Sequence, residues 1–340
     1  MKNVMTLLFL ISTLVSVGQV EIKDVSGYGQ KKFKDAPKKM YLASFRVIYQ
    51  MMFSQTEVAR GGRELGGGYR GDATAGLNMA IKGLETSDLQ ELTNEIYEGY
   101  LSQLRASGYE LVSIDEAQKS EEFEGFERKM GGTLNEAQFP GLITAVPTGF
   151  EYLIKKTSNK GKEKGRFNGF KLSADLAGTI VSQVTIVVPF VEEAESMLSK
   201  GLTKTLGGVA KIVVKPNLRI ESEIMGSTGA WGLDVAQTRT SYWFAERKIK
   251  PLSTSNIQLK KDLDIPDIIE EKKYKASESS QSDLWGSSYG ALTVFNVTDT
   301  FLENTFPIEV NAEKYKSAVK GAASKYLSTA LDNLLSYANK

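Results

Sequence analysis

From Lys39 to Phe53 the chain alternates. Tyr41, Ala43, Phe45, Val47, Tyr49, Met51 and Phe53 fall on one side. Ser44, Arg46 and Gln50 interrupt the other side, which also carries Met40, Leu42, Ile48 and Met52. A period of two with apolar residues on both sides predicts a long strand, buried on one face and partly on the other. The next strong pattern has a different period. Leu89, Leu92, Ile96, Tyr100, Leu101 and Leu104 recur at helical spacing. Ser87 and Gln90 have capping-box spacing at its start, and Gly108 stands at the C′ position at its end. Tyr109 to Ile114 (YELVSI) then reads as a short strand. Strand, helix and strand in this order predict a parallel βαβ unit with a right-handed crossover.

The rest of the chain is rich in strand patterns. Leu142–Val146, Phe150–Lys155, Thr179–Phe190, Val209–Met225, Leu233–Glu246 and Ala291–Val297 are strand candidates. Residues 115–135 read as a charged surface helix or loop, and Lys156–Gly165 as a basic turn or linker. The stretch 191–208 has a helical composition ended by Gly207-Gly208. Residues 247–290, with two prolines and the run SESSQSD, read as a long excursion. The chain closes on a wide amphipathic stripe of Tyr315, Val319, Ala322, Tyr326, Ala330, Leu334 and Ala338. Ala323, Leu327, Leu331 and Leu335 lie alongside it, and Asn311 is placed to cap it. These elements predict an α/β or α+β fold. A mixed sheet would contain the βαβ unit, and the C-terminal amphipathic helix would pack on it. Region 39–155 would hold that unit. Region 166–340 would be β-rich and closed by the helix, with strands of both regions able to join one sheet.

The N-terminus adds a destination. Lys2 precedes an apolar run from Val4 to Val17, and Ser16-Val17-Gly18 places small residues at the −3 and −1 positions of a cleavage after Gly18. Residues 1–18 therefore read as a signal peptide. The apolar run, about 14 residues, is short of the roughly 20 that cross a bilayer as a helix. Residues 19–38 read as a flexible, polar lead-in. The expected location is outside the cytoplasm: the periplasm or outer envelope in a bacterium, and otherwise secreted. Membrane association would then run through strands or a partner, since no later stretch has the length of a spanning helix.

Charge and missing residue types narrow the chemistry. The chain has 42 Lys and Arg against 41 Asp and Glu. This balance carries no basic footprint, so nucleic acid is not an expected partner. There is no histidine and no cysteine. A Ser-His-Asp triad, a thiol nucleophile and the usual zinc ligands are therefore excluded, as is lipid attachment at an N-terminal cysteine. Carboxylate pairs, a Ser-Lys pair, tyrosine and oxygen-ligated Ca²⁺ or Mg²⁺ remain open. No spacing singles out any of them: the acidic cluster Glu121, Glu122, Glu124 and Glu127 has the look of a solvated face. No catalytic residue, cofactor or metal site is assigned, and the reading leans away from an enzyme.

The candidates that remain are contacts. Residues 54–76 hold seven glycines within GGRELGGGYRGDATAG. Gly66 to Gly71 match G-x-G-x-x-G, but without the strand-to-helix turn that a dinucleotide site requires. Long glycine-rich loops order on meeting partners, which singles out Arg63, Tyr69 and Arg70. Trp231 and Trp243 are the aromatic candidates. Tyr242 and Phe244 share one face of their strand and Trp243 takes the other, so either an aromatic side chain faces away from the main core or both faces are covered.

The order of elements, with strand 39–53, helix 87–107, strand 109–114, later strands at 179–190, 209–225 and 233–246, and a closing helix at 313–338, resembles that of two periplasmic α/β modules. These are the modules of the curli secretion channel and of the TolB amino-terminal domain. The resemblance implies an envelope assembly or interaction role, with a protein or envelope component as partner, a second copy of the chain included. The alternatives are a carboxylate-based glycan hydrolase and a small-ligand or lipid carrier.

Overall fold

The computed structural model describes residues 20–26, 29–59, 72–193, 210–227, 235–248, 252–277 and 305–339, and has an α+β fold. The strands that frame it are β1 (Ile22–Asp24), β2 (Lys39–Gln50), β3 (Met52–Ala59), β4 (Ala73–Lys82), β5 (Glu110–Leu111), β6 (Asn135–Phe139), β7 (Leu142–Ala145), β8 (Ile180–Val188), β9 (Arg239–Ala245), β10 (Leu252–Leu259) and β11 (Thr305–Glu309). The helices that frame it are α1 (Thr86–Ala106), α2 (Gly169–Asp175) and α3 (Ala312–Ala338).

The main sheet runs in the order β1-β10-β9-β8-β2-β7-β6, with β5 beside the first residues of β2. It contains strands from both regions of the chain. β2 pairs in parallel with β8 and with β5, while β7, β9 and β10 join antiparallel to their neighbours. β2, α1 and β5 thus form the expected parallel unit. From Met40 to Gln50 every residue of β2 is buried, as a strand covered on both faces requires.

One face of the sheet is covered by α1 and α3, which also pack on each other. Asn311 caps α3 by accepting the amide N–H of Lys314 at 3.0 Å. The cap of α1 lies two residues earlier than its sequence suggests. Glu85 is the N-cap residue, and its N–H donates to Asp88 Oδ2 at 2.8 Å in a reciprocal box. A carboxylate serves there as well as a hydroxyl, because either accepts from the free N–H groups. Between sheet and helices lie Phe45, Val47, Tyr49, Tyr100, Tyr242, Phe244, Tyr315 and Tyr326, all fully buried. Four of these tyrosine hydroxyls are paired: Tyr49 with Thr93, Tyr100 with Tyr242, and Tyr326 with the Ile257 carbonyl, each at 3.0 Å.

Several expectations are corrected. Alternation along 39–53 is interrupted: Leu42 pairs with Ser182 and Ser44 with Gln183, leaving Ala43 as the extra residue of a bulge. Ala43 therefore faces away from Phe45, Val47 and Tyr49, on the side of Ser44 and Arg46. The strand also ends at Gln50, and Met52 starts a separate sheet. Most of the expected loop 54–76 outside the glycine run is strand. β3 pairs with β4 over eight residue pairs, from Met52–Ala80 to Ala59–Ala73, and β11 adds parallel to β4. Ala75, Leu77, Met79 and Ile81 are buried, an alternation that the neighbouring glycines masked. Within the expected excursion 247–290, β10 is an interior strand of the main sheet. Part of the lead-in is held in place: β1 pairs with β10, and Phe33 is buried under α3 in the turn Gln30–Asp35. The turn 156–165 is a small hairpin whose Glu163 is buried. Val191–Glu193 is strand, where a helix was expected to begin. The remainder of that stretch and the expected strand 291–297 lie outside the described residues.

Candidate functional site

The second face of the sheet is apolar at both ends and polar in the middle. Toward the start of β2, Tyr41, Ala43, Leu153, Leu172 and Val181 form one cluster beneath α2. Toward its end, Ile48, Phe139, Leu142, Val187 and Ala236 form another. Between them opens a groove of about 670 Å³.

Strand register explains its floor. Gln183 on β8 stands opposite Ser44 on β2 and Ser241 on β9, and Ser241 stands opposite Asn256 on β10. One step along, Thr185 stands opposite both Arg46 and Arg239. One step the other way, Trp243 stands between Val181 and Thr254. Side chains two apart on a strand share a face, so three strands deliver polar residues at alternate positions to one surface. The bulge at Ala43 turns Ser44 and Arg46 onto that surface too. Phe167, Phe170, Tyr152 and Trp243 add aromatic groups to the lining, and Val25 and Ile224 add exposed apolar surface, at 46% and 56%.

Arg46 is the best-held of the charged groups. Its Nη2 donates to Glu163 Oε2 at 3.0 Å, its Nε donates to Ser44 Oγ at 3.2 Å, and its guanidinium lies 5.3 Å from the centre of the Tyr152 ring. The Tyr152 hydroxyl donates to Glu163 Oε1 at 2.7 Å, and the Glu163 N–H donates to Gln138 Oε1 at 2.9 Å. Burial, with the Glu163 carboxylate adding to it, pushes the Tyr152 hydroxyl well above its usual range, so it stays a donor at neutral pH. Burial lowers Arg239 from the usual guanidinium value, yet a guanidinium keeps its proton at neutral pH. Among the described residues, Arg46, Arg166 and Arg239 line the groove, and no Asp or Glu does.

The rim beside β1 is tied down by Asp24. Its carboxylate accepts from Ser26 N–H at 2.9 Å, Ser255 Oγ at 2.7 Å and Asn256 N–H at 3.1 Å. Burial pushes this carboxyl up, but the hydrogen bonds from Ser26, Ser255 and Asn256 together outweigh it and hold the group below its usual value. At the other rim α2 starts against Trp243. A Cβ on Gly169 would meet Trp243 Cδ2 at 2.4 Å, so only glycine lets the helix backbone lie on the indole. Phe167 packs edge-on to the same indole at 5.9 Å.

Of the candidate contacts expected from sequence, Trp243 is placed in the groove, half-buried, while Tyr242 and Phe244 enter the helix-side core. Arg63, Tyr69, Arg70 and Trp231 lie outside the described residues. Glu121, Glu122, Glu124 and Glu127 form no common site. Glu121 pairs with Lys248, and Glu122 accepts the Asn168 N–H. Among the described residues no cluster of three or more acidic side chains could hold a metal ion, and no helix is long and apolar enough to cross a membrane. Sequence reasoning missed Gln183, Arg239, Asn256 and Gln258. Their signal was the polar residue at every second position of IVSQVTIVV, RTSYWFA and LSTSNIQL. No family model, curated protein or solved structure matches the chain.

Proposed function

We propose that this protein works by binding, as an exported envelope component that recognises an anionic partner through the groove on the polar face of its sheet. The described lining of the groove carries the reading: the guanidinium groups of Arg166 and Arg239 beside the Arg46–Glu163 pair, side-chain amides and hydroxyls, and several aromatic rings, with no carboxylate among the described lining residues. Guanidinium groups suit planar anions, and apolar walls with a few convergent polar groups suit a ligand site. The groove volume falls within the usual span of such sites, roughly 300–1,000 Å³. Export is supported by the N-terminal pattern from Lys2 to Gly18. The resemblance to periplasmic α/β modules adds the expectation of an interaction role.

The alternatives draw less support. Glycan hydrolysis by two carboxylates needs a pair about 5–10 Å apart across the substrate, and the described lining of the groove offers none. A carrier would hold its cargo between sheet and C-terminal helix, where Tyr315, Val319, Ala322, Tyr326 and Ala330 are packed.

The test is retention from an envelope extract. Purified chain is incubated with extract and washed, and the released material is identified by mass. The same is done with the double variant Gln183→Ala/Gln258→Ala, its fold checked by thermal melting. The expected result is retention weakened at least about tenfold, or 1.4 kcal/mol. Equal retention by both proteins, or by neither, overturns the proposal. Export is tested separately, by fractionation and N-terminal sequencing of the chain expressed with residues 1–18.

A further inference from the structure

We infer that the occupant of the groove is a short acidic oligosaccharide. This rests on the groove being the binding surface and names what that surface is built to take.

The floor separates a sugar from a peptide. β8 is hydrogen-bonded to β2 on one side and β9 on the other, and β9 to β8 and β10. Their backbone groups are consumed by the sheet. An extended peptide gains its affinity from main-chain hydrogen bonds at a free strand edge, and this floor presents none. What it presents is side chains: Ser44, Gln183, Thr254, Asn256 and Gln258 line the groove. Each both donates and accepts hydrogen bonds. Sugar hydroxyls have the same double character, so a polyhydroxylated ligand can be met by this array in several ways.

The lining supplies the second argument. Phe167, Phe170 and Trp243 are aromatic, and Val25 and Ile224 are exposed aliphatic groups. A pyranose ring matches a polar floor with apolar walls, since its hydroxyls project from the edge and its C–H groups make up the faces. Amphipathic aromatic rings suit such mixed surfaces.

Charge and span supply the third. Arg46 and Arg239 occupy one cross-strand row with Thr185 between them, so their backbones are about two strand spacings, roughly 9–10 Å, apart. A carboxylate held over Thr185 would lie between Arg239, whose guanidinium fork suits it, and the Arg46–Glu163 pair. Trp243 lies four residues along β9 from Arg239, about 13 Å at the rise of a strand. A ligand touching both the indole and the arginine row must be longer than one sugar.

The test uses tri-galacturonate, its fully methyl-esterified form and an acidic tetrapeptide as probes. Affinity is measured by calorimetry, and the indole N–H signal of Trp243, assigned with Trp243→Phe, reports occupancy of the groove. The expected result is that tri-galacturonate binds and shifts the Trp243 signal. Esterification should weaken it at least about tenfold, and Arg239→Gln and Gln183→Ala, both checked for unchanged melting, should do the same. If the peptide shifts the Trp243 signal and the trisaccharide does not, the ligand class is wrong and the groove reading stands. Should the trisaccharide bind without moving Trp243 and without sensitivity to either variant, both fail. Absence of any trisaccharide binding, or equal binding of the ester, overturns the inference.

Discussion

Replacing Glu163 by Gln should cost this protein about 3 kcal/mol, because it strips a buried arginine of its counter-charge. The Arg46 side chain is 4% exposed and that of Glu163 11%, at a separation of 3.0 Å. At that distance, and at an effective dielectric constant of about 20, the attraction is about 5 kcal/mol. Removing one partner of such a pair typically costs about 3–5 kcal/mol, since the remaining charge stays buried. The amide of Gln keeps an acceptor for Arg46, which places the loss at the low end. For a chain of this length, 3 kcal/mol corresponds to a fall in melting temperature of roughly 5 °C. The assay is urea unfolding of Glu163→Gln, together with a cycle of Arg46→Met, Glu163→Leu and the double variant. The double variant should recover much of the loss, because neither charge is then left alone. A loss below about 1 kcal/mol, or strictly additive single losses, would refute the account of a linked buried pair. Glu95→Gln serves as the exposed comparison. Its partner Lys320 is 47% exposed, and the expected loss is under about 0.5 kcal/mol.

Three further outcomes follow from the geometry. Gly169→Ala should destabilise by about 1–3 kcal/mol through overpacking against Trp243 and should shift indole fluorescence; unchanged melting and emission would mean that the helix start has room there. Asp24 is held lower in the fold than in the unfolded chain. It therefore adds stability above its unfolded value, near 3.9, and that stability is lost as pH falls through the lower folded value. Amide exchange at Asn256, whose N–H Asp24 accepts, should accelerate below about pH 4 relative to Ile257, and Asp24→Asn should abolish the difference. Asn311→Ala removes the cap of α3 and should cost about 1 kcal/mol by urea unfolding, whereas no change would mean that water serves the Lys314 N–H equally well.

Long periodic elements were legible in the sequence because one face decided each of them. Leu89 to Leu104 and Tyr315 to Leu334 repeat at helical spacing over several turns, and both helices stand where that spacing puts them. The bulge was not legible: Ala43 satisfies an alternating pattern as well as a regular residue would, and only pairing with β8 shows it to be extra. β4 was hidden by the glycines before it, and β10 by the charged and proline-bearing stretches around it. The groove was the hardest to read, because no single strand contains it. Gln183, Arg239 and Asn256 are unremarked polar positions on separate strands until the sheet order makes them neighbours. Trp243 was singled out because an aromatic on the polar side of a strand is conspicuous by itself.

The extra residue in β2 has a consequence for changes in chain length. Leu42 and Ser44 already pair with consecutive residues of β8. Losing one residue at Ala43–Ser44 would leave a regular ladder in which Phe45, Val47 and Tyr49 still meet the helices and Arg46 still meets the groove. A deletion between Phe45 and Tyr49 would instead turn part of the strand over, sending an arginine into the core or a phenylalanine into water. The strand at the centre of the sheet therefore contains one place where the chain can shorten without re-sorting its two faces.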